Sequence, residues 1–203
     1  MQTKTNLSKY EKMYDTFDPA HDKKHMEGVR KFAIKLAKRY CPDKLEIIYV
    51  AATLHDIGLS SEPREDHEEN GYLIIKNDND IKKNYSKEDF NLILEAVKEH
   101  RASTGNPKSM VAKIISDADR AYSDFTTHVR RSFEYNSYKY PELTHNQVLD
   151  KTAEYIFPKF KENGSGKRLY FEESERHMSK IEKELLKACK KKDYKKMDKI
   201  LNL

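Results

Sequence analysis

Helical spacing of the apolar residues is the feature that most constrains the fold of this chain. Between Lys23 and Tyr40, apolar side chains recur every three or four residues and place one apolar stripe on a helix. The positions of this stripe are Met26, Val29, Ala33, Leu36 and Ala37. Glycine and proline number only six each, and the alternating pattern of a half-buried strand is nearly absent. The sequence therefore predicts an all-α fold.

Further helices are predicted where breaks and caps frame other apolar runs. Cys41-Pro42 ends the first helix, Asp43 begins a second, and Gly58 stands where a glycine often terminates a helix. The core face of this second helix is Ile47, Ile48, Ala51, Ala52 and Leu54. Ser86 caps a later helix, whose apolar stripe is Phe90, Ile93, Leu94 and Val97. One long amphipathic helix is expected over residues 171–201.

Composition restricts the compartment and the ligand chemistry. No stretch approaches the ~18 apolar residues of a spanning helix, and residues 1–14 lack the apolar core of a secretory signal. We therefore expect a cytoplasmic protein without a membrane partner. The two cysteines, Cys41 and Cys189, are far apart and form no CxxC motif. A bound metal would thus be held by histidine and carboxylate.

The net charge of +5 comes from one segment. Residues 187–199 contain seven lysines and two aspartates, which is +5 by itself, so the rest of the chain sums to about zero. This distribution favours a solvated lysine-rich helix face, and a nucleic-acid partner is not expected. Nucleic-acid binding through this helix remains an alternative, which predicts a steep dependence of affinity on salt.

Three places on predicted helices carry side chains that can bind a metal. His55-Asp56 ends the apolar run IIYVAATL, His25 shares a helix face with apolar residues, and Asp119 lies within the run IISDADRAYS. A buried aspartate is costly unless a cation or strong hydrogen bonds compensate it. A capped helix end and a hydrogen-bonded core histidine are the alternative interpretations. Together these positions predict a site of nitrogen and oxygen ligands.

The order H…HD…D on successive helices resembles the HD-domain superfamily of metal-dependent phosphohydrolases. The segments that carry the resemblance are HDKKHMEGVRKFAIKLA, AATLHDIG and AKIISDADRAYS. The metal ligands that it implies are His25, His55, Asp56 and Asp119. Register with Val29 selects His25 rather than His21, and Asp117 is the rival of Asp119.

Two further histidines match subgroups of the same family. DHEENGYLI is similar to a helix start of the form H-x-x-x-G and assigns His67, and EAVKEHRAS is similar to the helix end that supplies His100. Where both are present, the family can hold a second metal bridged by the HD aspartate. The resemblance thus implies catalytic roles for Asp56, His67 and His100.

The resemblance also implies an architecture and an activity. We expect a single HD-domain helical bundle, with an N-terminal helical segment over 1–17, the HD core over 18–125, and a C-terminal helical extension over 126–203 that packs on the core. Residues 166–169 and 175–178 are similar to segments of small bacterial members. The expected reaction is hydrolysis of a phosphoester or phosphoanhydride bond by metal-activated water. A non-catalytic nucleotide-sensing scaffold is the alternative.

Cofactor and partner expectations follow from the same resemblance. One or two divalent metals per chain are expected, with Mn or Fe favoured and Mg, Ni or Zn also compatible with the ligands. The partner is a small phosphorylated substrate, expected to be a nucleotide, and both a monomer and a homodimer are consistent with the sequence. The candidates for contact with phosphate are Arg101, Arg120, Arg64 and Lys98.

Overall fold

The computed structural model describes residues 2–176 and 181–203. These ranges contain α-helices and short 3-10 helices and no strand, which confirms the predicted all-α class. Packing divides the chain into two compact units. The first holds residues up to Phe17 together with His21–Tyr122, and the second holds Asp18–Ala20 with the described part of Ser123–Leu203. No helix in the described ranges is long and apolar enough to cross a membrane.

Seven α-helices form the described frame of the first unit. They are α1 (Ser8–Glu11), α2 (Lys23–Tyr40), α3 (Leu45–Leu54), α4 (His67–Lys76), α5 (Asn79–Lys82), α6 (Lys87–Lys98) and α7 (Met110–Ala121). Single 3-10 segments connect or extend them, at Lys12–Thr16, Pro42–Lys44, Ile57–Ser60 and Arg64–Asp66. The apolar stripes predicted for α2, α3 and α6 are all buried, so these helices enclose one hydrophobic core.

Side-chain caps fix where the principal helices begin. The Asp22 carboxylate accepts from the backbone N–H of His25 and starts α2. Ser86 caps α6 in the predicted way, by accepting from the N–H of Asp89. Such caps satisfy backbone donors that the first helical turn leaves without a partner. The cap on α2 therefore also fixes the position of His25 in its first turn.

The second unit has its own hydrophobic core. Its described helices are α8 (Phe125–Lys139), α9 (His145–Phe160), α10 (Glu172–Arg176), α11 (Ile181–Lys191) and α12 (Tyr194–Leu201), with a 3-10 turn at Ser165–Lys167. The largest apolar side chains in this core are Phe125, Val129, Leu149, Ile156, Phe160, Leu185, Met197 and Leu201. The predicted packing of this extension on the HD core stays a prediction.

The prediction of one long helix over residues 171–201 is wrong. Helix α11 ends at Lys191, Lys192 has a left-handed backbone with φ of 54°, and Asp193 caps α12 by accepting from the N–H of Lys196. Apolar spacing continues across this break, so the periodicity alone did not reveal it. The similarity noted at residues 175–178 falls partly on His177 and Met178, which lie outside the described residues.

Candidate metal centre

The end of α3 carries two buried metal-binding side chains. Helix α3 is apolar on nearly every face, so the chain at its C-terminus is still inside the protein when it reaches His55 and Asp56, which are 0% and 2% exposed. Nδ1 of His55 lies 2.9 Å from the carbonyl oxygen of Ala52. Because only a protonated Nδ1 can donate to this carbonyl, Nε2 is left as the atom that faces the interior.

Four donor atoms converge around this turn, and we refer to them as the first donor group. Nε2 of His25 lies 3.1 Å from Nε2 of His55, and Asp56 Oδ2 lies 3.2 Å and 3.0 Å from these two nitrogens. Oδ1 of Asp119 lies 3.3 Å from Nε2 of His25 and 3.9 Å from Nε2 of His55. The structure therefore brings together all four residues that the sequence selected.

The chemistry of this group fits a divalent cation. Asp56 Oδ2 is buried and accepts no hydrogen bond among the described residues, although a buried carboxylate oxygen needs a compensating charge or donor. Two imidazole nitrogens that face each other repel unless a proton or a cation lies between them. Two nitrogens with two carboxylate oxygens form a donor set typical of Mn, Fe or Zn sites. A bound metal would satisfy all four atoms at once.

A second donor group shares Asp56 with the first. Oδ1 of Asp56 lies 3.6 Å from Nε2 of His67 and 3.5 Å from Nε2 of His100, and these two nitrogens are 3.2 Å apart. Nδ1 of each ring faces a backbone carbonyl three residues earlier, at Arg64 (3.2 Å) and Val97 (2.7 Å). His25, His55 and Asp56 of the first group, and all three residues of the second group, have the close spacing that allows them to hold a metal ion. One carboxylate oxygen of Asp56 thus serves each group.

Two glycines allow the second group to form. A Cβ on Gly58 would collide with the carbonyl oxygen of His67 and the backbone nitrogen of Gly71. The 3-10 turn after the HD pair can therefore lie directly against α4, which begins at His67. No described glycine has a positive φ, so Gly58 is not the left-handed terminator that the sequence suggested. Its function is close backbone approach.

Burial and the Asp56 carboxylate set the charges of the site. Burial by itself would raise the pKa of Asp56, but the charge of His55 and the neighbouring rings of His100 and His25 hold it well below its usual range. Burial would lower the pKa of His55, and the Asp56 carboxylate outweighs this effect and raises it to about 9. Burial and the neighbouring His100 lower the pKa of His67 to about 4. Asp56 is thus ionised and His67 is neutral at pH 7, as metal ligation requires.

The remaining predicted residues lie in several environments. Asp117 is fully buried and pairs with Arg120 at 3.3 Å, so Asp119, not Asp117, reaches the first donor group. Arg120 is 2% exposed and also donates to Ser116, which in turn donates to the carbonyl of His100. Arg120 is thus a buried charge paired with Asp117, and its predicted contact with phosphate stays a prediction.

The other three phosphate candidates lie nearer the surface. Arg101 donates to the carbonyl of Glu65 and to the Glu68 carboxylate, and its side chain is 37% exposed. Lys98 pairs with Glu69 at 2.7 Å, and Arg64 is partly exposed in the 3-10 turn before α4. Arg101 is linked to the second donor group through Glu68, because the Glu68 carboxylate that it contacts also lies 3.3 Å from Nδ1 of His67.

Two residues at the site were missed by sequence reasoning. Glu68 contacts His67, Arg101 and Thr104. It directly follows the candidate ligand His67 in the sequence, and this position could have identified it. The Tyr14 hydroxyl reaches the HD turn from a distance of 42 residues along the chain. No local pattern marks Tyr14, since a single tyrosine in a polar N-terminal segment carries no information about long-range contacts.

Comparison with protein families agrees with this geometry. The HD domain family model matches residues 23–123, a range that contains every donor of both groups. Neither the comparison with curated proteins nor the comparison with solved structures gave a match. The match and the two donor groups point to the same assignment: the chain carries an HD domain and belongs to the HD-domain superfamily of metal-dependent phosphohydrolases.

Proposed function

We propose that this protein is a metal-dependent phosphohydrolase that hydrolyses a phosphoester or phosphoanhydride bond of a nucleotide or a similar small phosphorylated molecule. The observation that supports the proposal most strongly is that two donor groups share the buried Asp56, with one carboxylate oxygen in each. A carboxylate between two metal sites is common in enzymes that cleave phosphate bonds with metal-activated water.

In this proposal each donor group holds one divalent metal. His25, His55, Asp56 and Asp119 hold the first, and His67 and His100 hold the second together with Asp56. Imidazole nitrogens mixed with carboxylate oxygens favour Mn or Fe over Mg, which prefers oxygen ligands alone. When bound, such a metal lowers the pKa of water toward neutrality and neutralises charge on phosphoryl oxygens.

The chain's own residues orient the reactants. Each donor group has one member that solvent reaches, because the Asp119 side chain is 26% exposed and that of His67 is 13% exposed. We assign the attacking water to a hydrogen bond with an aspartate of the first group, either Asp56 or Asp119. The rings of His25 and His55 are buried, so bulk water does not reach these two donors. Low water content strengthens the electrostatic interactions of the phosphate with the site.

Arg101 is the cation that we propose for phosphate recognition. Its guanidinium already lies against Glu68, which contacts the Nδ1 atom of His67. A planar guanidinium can contact two phosphate oxygens at once, and Arg101 is exposed enough to exchange Glu68 for a ligand. Arg64 and Lys98 are secondary candidates, and Lys98 is 42% exposed in its pair with Glu69.

A phosphate-release screen over nucleoside mono-, di- and triphosphates tests the proposal. We expect activity that chelation removes and added Mn restores. His55→Ala and Asp56→Ala should each lose bound metal and turnover while circular dichroism shows retained helix. Asp80→Ala is the matched control, since Asp80 is a 62% exposed aspartate that pairs with lysines away from the donor groups.

The outcomes separate the proposal from its alternatives. Full activity in His55→Ala or Asp56→Ala would overturn the site assignment. Metal and nucleotide binding without turnover would favour a nucleotide sensor. Nucleic-acid affinity that survives chelation and falls steeply with salt would favour a nucleic-acid binder.

A further inference from the structure

Tyr14 lies outside the residues that the family model matches, yet its hydroxyl reaches the HD turn. It belongs to the 3-10 segment Lys12–Thr16, and it is 1% exposed. Its ring packs edge-on against Phe17 at 5.1 Å between centroids, and it lies 6.4 Å from the ring of His55. The hydroxyl is therefore held in a fixed position beneath the two ligands at the end of α3.

The hydroxyl forms two hydrogen bonds with the backbone of that turn. It donates to the carbonyl oxygen of Thr53 at 2.9 Å and accepts from the backbone N–H of Asp56 at 3.3 Å. The last carbonyls of a helix have no donor within the helix and need one from elsewhere. The carbonyl of Ala52 is already used by Nδ1 of His55. A hydroxyl suits this position because it donates and accepts at the same time.

The residue that accepts from the Tyr14 hydroxyl is itself held in place. Thr53 is fixed further, since its own hydroxyl donates to the carbonyl of Tyr49 at 2.9 Å.

We propose that Tyr14 is a positioning residue of the metal centre, whose hydroxyl fixes the backbone from Thr53 to Asp56 so that His55 and Asp56 face the metals. This inference rests on the proposed function, because the positioning matters only if these residues bind metal. The N-terminal segment is then part of the functional unit, although it precedes the residues matched by the family model. Groups that orient metal ligands typically change metal affinity by about 10- to 100-fold when they are removed.

Tyr14→Phe tests the inference, and Tyr10→Phe is its matched control. Tyr10 is a second buried tyrosine of the same N-terminal segment, but its hydroxyl donates to Asp78, away from the HD turn. We expect Tyr14→Phe to raise the Kd for Mn by about 10-fold or more in calorimetric titration of the metal-free protein. Tyr10→Phe should leave this Kd within about two-fold of the wild-type value, even though it lowers stability.

Two further readouts separate positioning from general loosening. Turnover of Tyr14→Phe should recover as Mn is raised, so the Mn concentration for half-maximal rate should shift more than the maximal rate. The electron paramagnetic resonance spectrum of bound Mn should change in Tyr14→Phe and stay constant in Tyr10→Phe. This spectrum can be recorded at saturating Mn, where bound metal stabilises the folded variant.

Each outcome is informative. An unchanged Mn affinity and spectrum in Tyr14→Phe would overturn the positioning role while leaving the proposed function in place. An equal loss of Mn affinity in both variants would also overturn it, since any loosening of the N-terminal segment would then suffice. A wild-type protein that binds no Mn would instead overturn the proposed function, and the role of Tyr14 with it.

Discussion

At the scale of single residues, Asp56 connects the two donor groups. Its two oxygens face different pairs of imidazole nitrogens, at 3.0–3.2 Å on one side and 3.5–3.6 Å on the other. An asparagine has one oxygen and carries no charge, so it could not serve both groups. The remaining donors each belong to one group. Substitutions in one group should therefore affect the metals separately, whereas substitution of Asp56 should affect both.

Asp119 and Asp117 give a direct contrast at this scale. Asp119→Asn should weaken Mn binding by at least about 10-fold with little change in the free energy of unfolding of the metal-free protein. Asp117→Asn should leave the buried Arg120 guanidinium without its carboxylate and cost about 3 kcal/mol of stability. Mn titration and urea unfolding of both variants measure these effects. The reverse pattern, with metal lost only in Asp117→Asn, would contradict the assignment of Asp119.

Metal binding should release protons near neutral pH. Burial lowers and Asp56 raises the pKa of His55, to about 9 in the metal-free protein, so this ring carries a proton at pH 7 that metal must displace. Mn affinity should thus rise as pH increases from 7 toward 9. Calorimetry at pH 7 in two buffers of different ionisation enthalpy should detect proton release. No release, together with an affinity that does not change with pH, would contradict this arrangement of charges.

The sequence identified the residues of the donor groups better than the residues that hold them in position. His55-Asp56 was recognisable because two adjacent ligand types end an apolar helix, and His25 and Asp119 were recognisable because they lie in apolar helical runs. The burial of Arg120 was not predicted, since it depends on how α7 packs against its neighbours. Tyr14 and Glu68 were missed because their roles arise from contacts that only the folded chain creates.

At the scale of elements, the close approach of the 3-10 turn Ile57–Ser60 to α4 determines whether two donor groups can form. Gly58 and Gly71 lie at this contact. The motif H-x-x-x-G thus has a physical meaning here, because its glycine lies one helical turn after His67 and keeps the side of α4 that faces Gly58 and Val97 free of a side chain. Sequence analysis singled out both glycines, but it interpreted Gly58 as the residue that terminates a helix.

Gly58→Ala tests this contact, with Gly28→Ala as its control. The new methyl at position 58 would meet backbone atoms of His67 and Gly71, which cannot move without moving α4. We expect a loss of about 3 kcal/mol in urea unfolding and a loss of metal from the second group. At position 28 the atoms nearest the new methyl belong to the Tyr122 side chain and not to the backbone, and the better helix propensity of alanine offsets part of the cost, so we expect a smaller loss of stability. Equal effects of both substitutions would contradict the account.

At this scale, sequence analysis failed mainly at a helix break that contains neither proline nor glycine. The chain leaves α11 at Lys192 in a left-handed conformation that lysine adopts at a cost. Asp193 then offers a capping carboxylate, which makes a new helix start competitive. Because the helical spacing of apolar residues continues on both sides of the break, this spacing did not predict the break.

At the scale of the whole molecule, both donor groups lie in the first unit. Every donor of both groups lies within His25–Asp119, and the family match ends at residue 123, where the second unit begins. The second unit is stabilised by a separate apolar core. Removing metal should thus reduce the stability of the first unit, while the second unit's core contains none of the proposed ligands.

Anomalous diffraction from Mn-soaked crystals is the measurement that tests the central claim most directly. We predict an anomalous peak within the first donor group, bounded by His25, His55, Asp56 and Asp119, and a second peak beside His67 and His100. Both peaks should disappear in Asp56→Ala crystals soaked in the same way. Saturating Mn that gives no peak near Asp56, or peaks only elsewhere, would contradict the account.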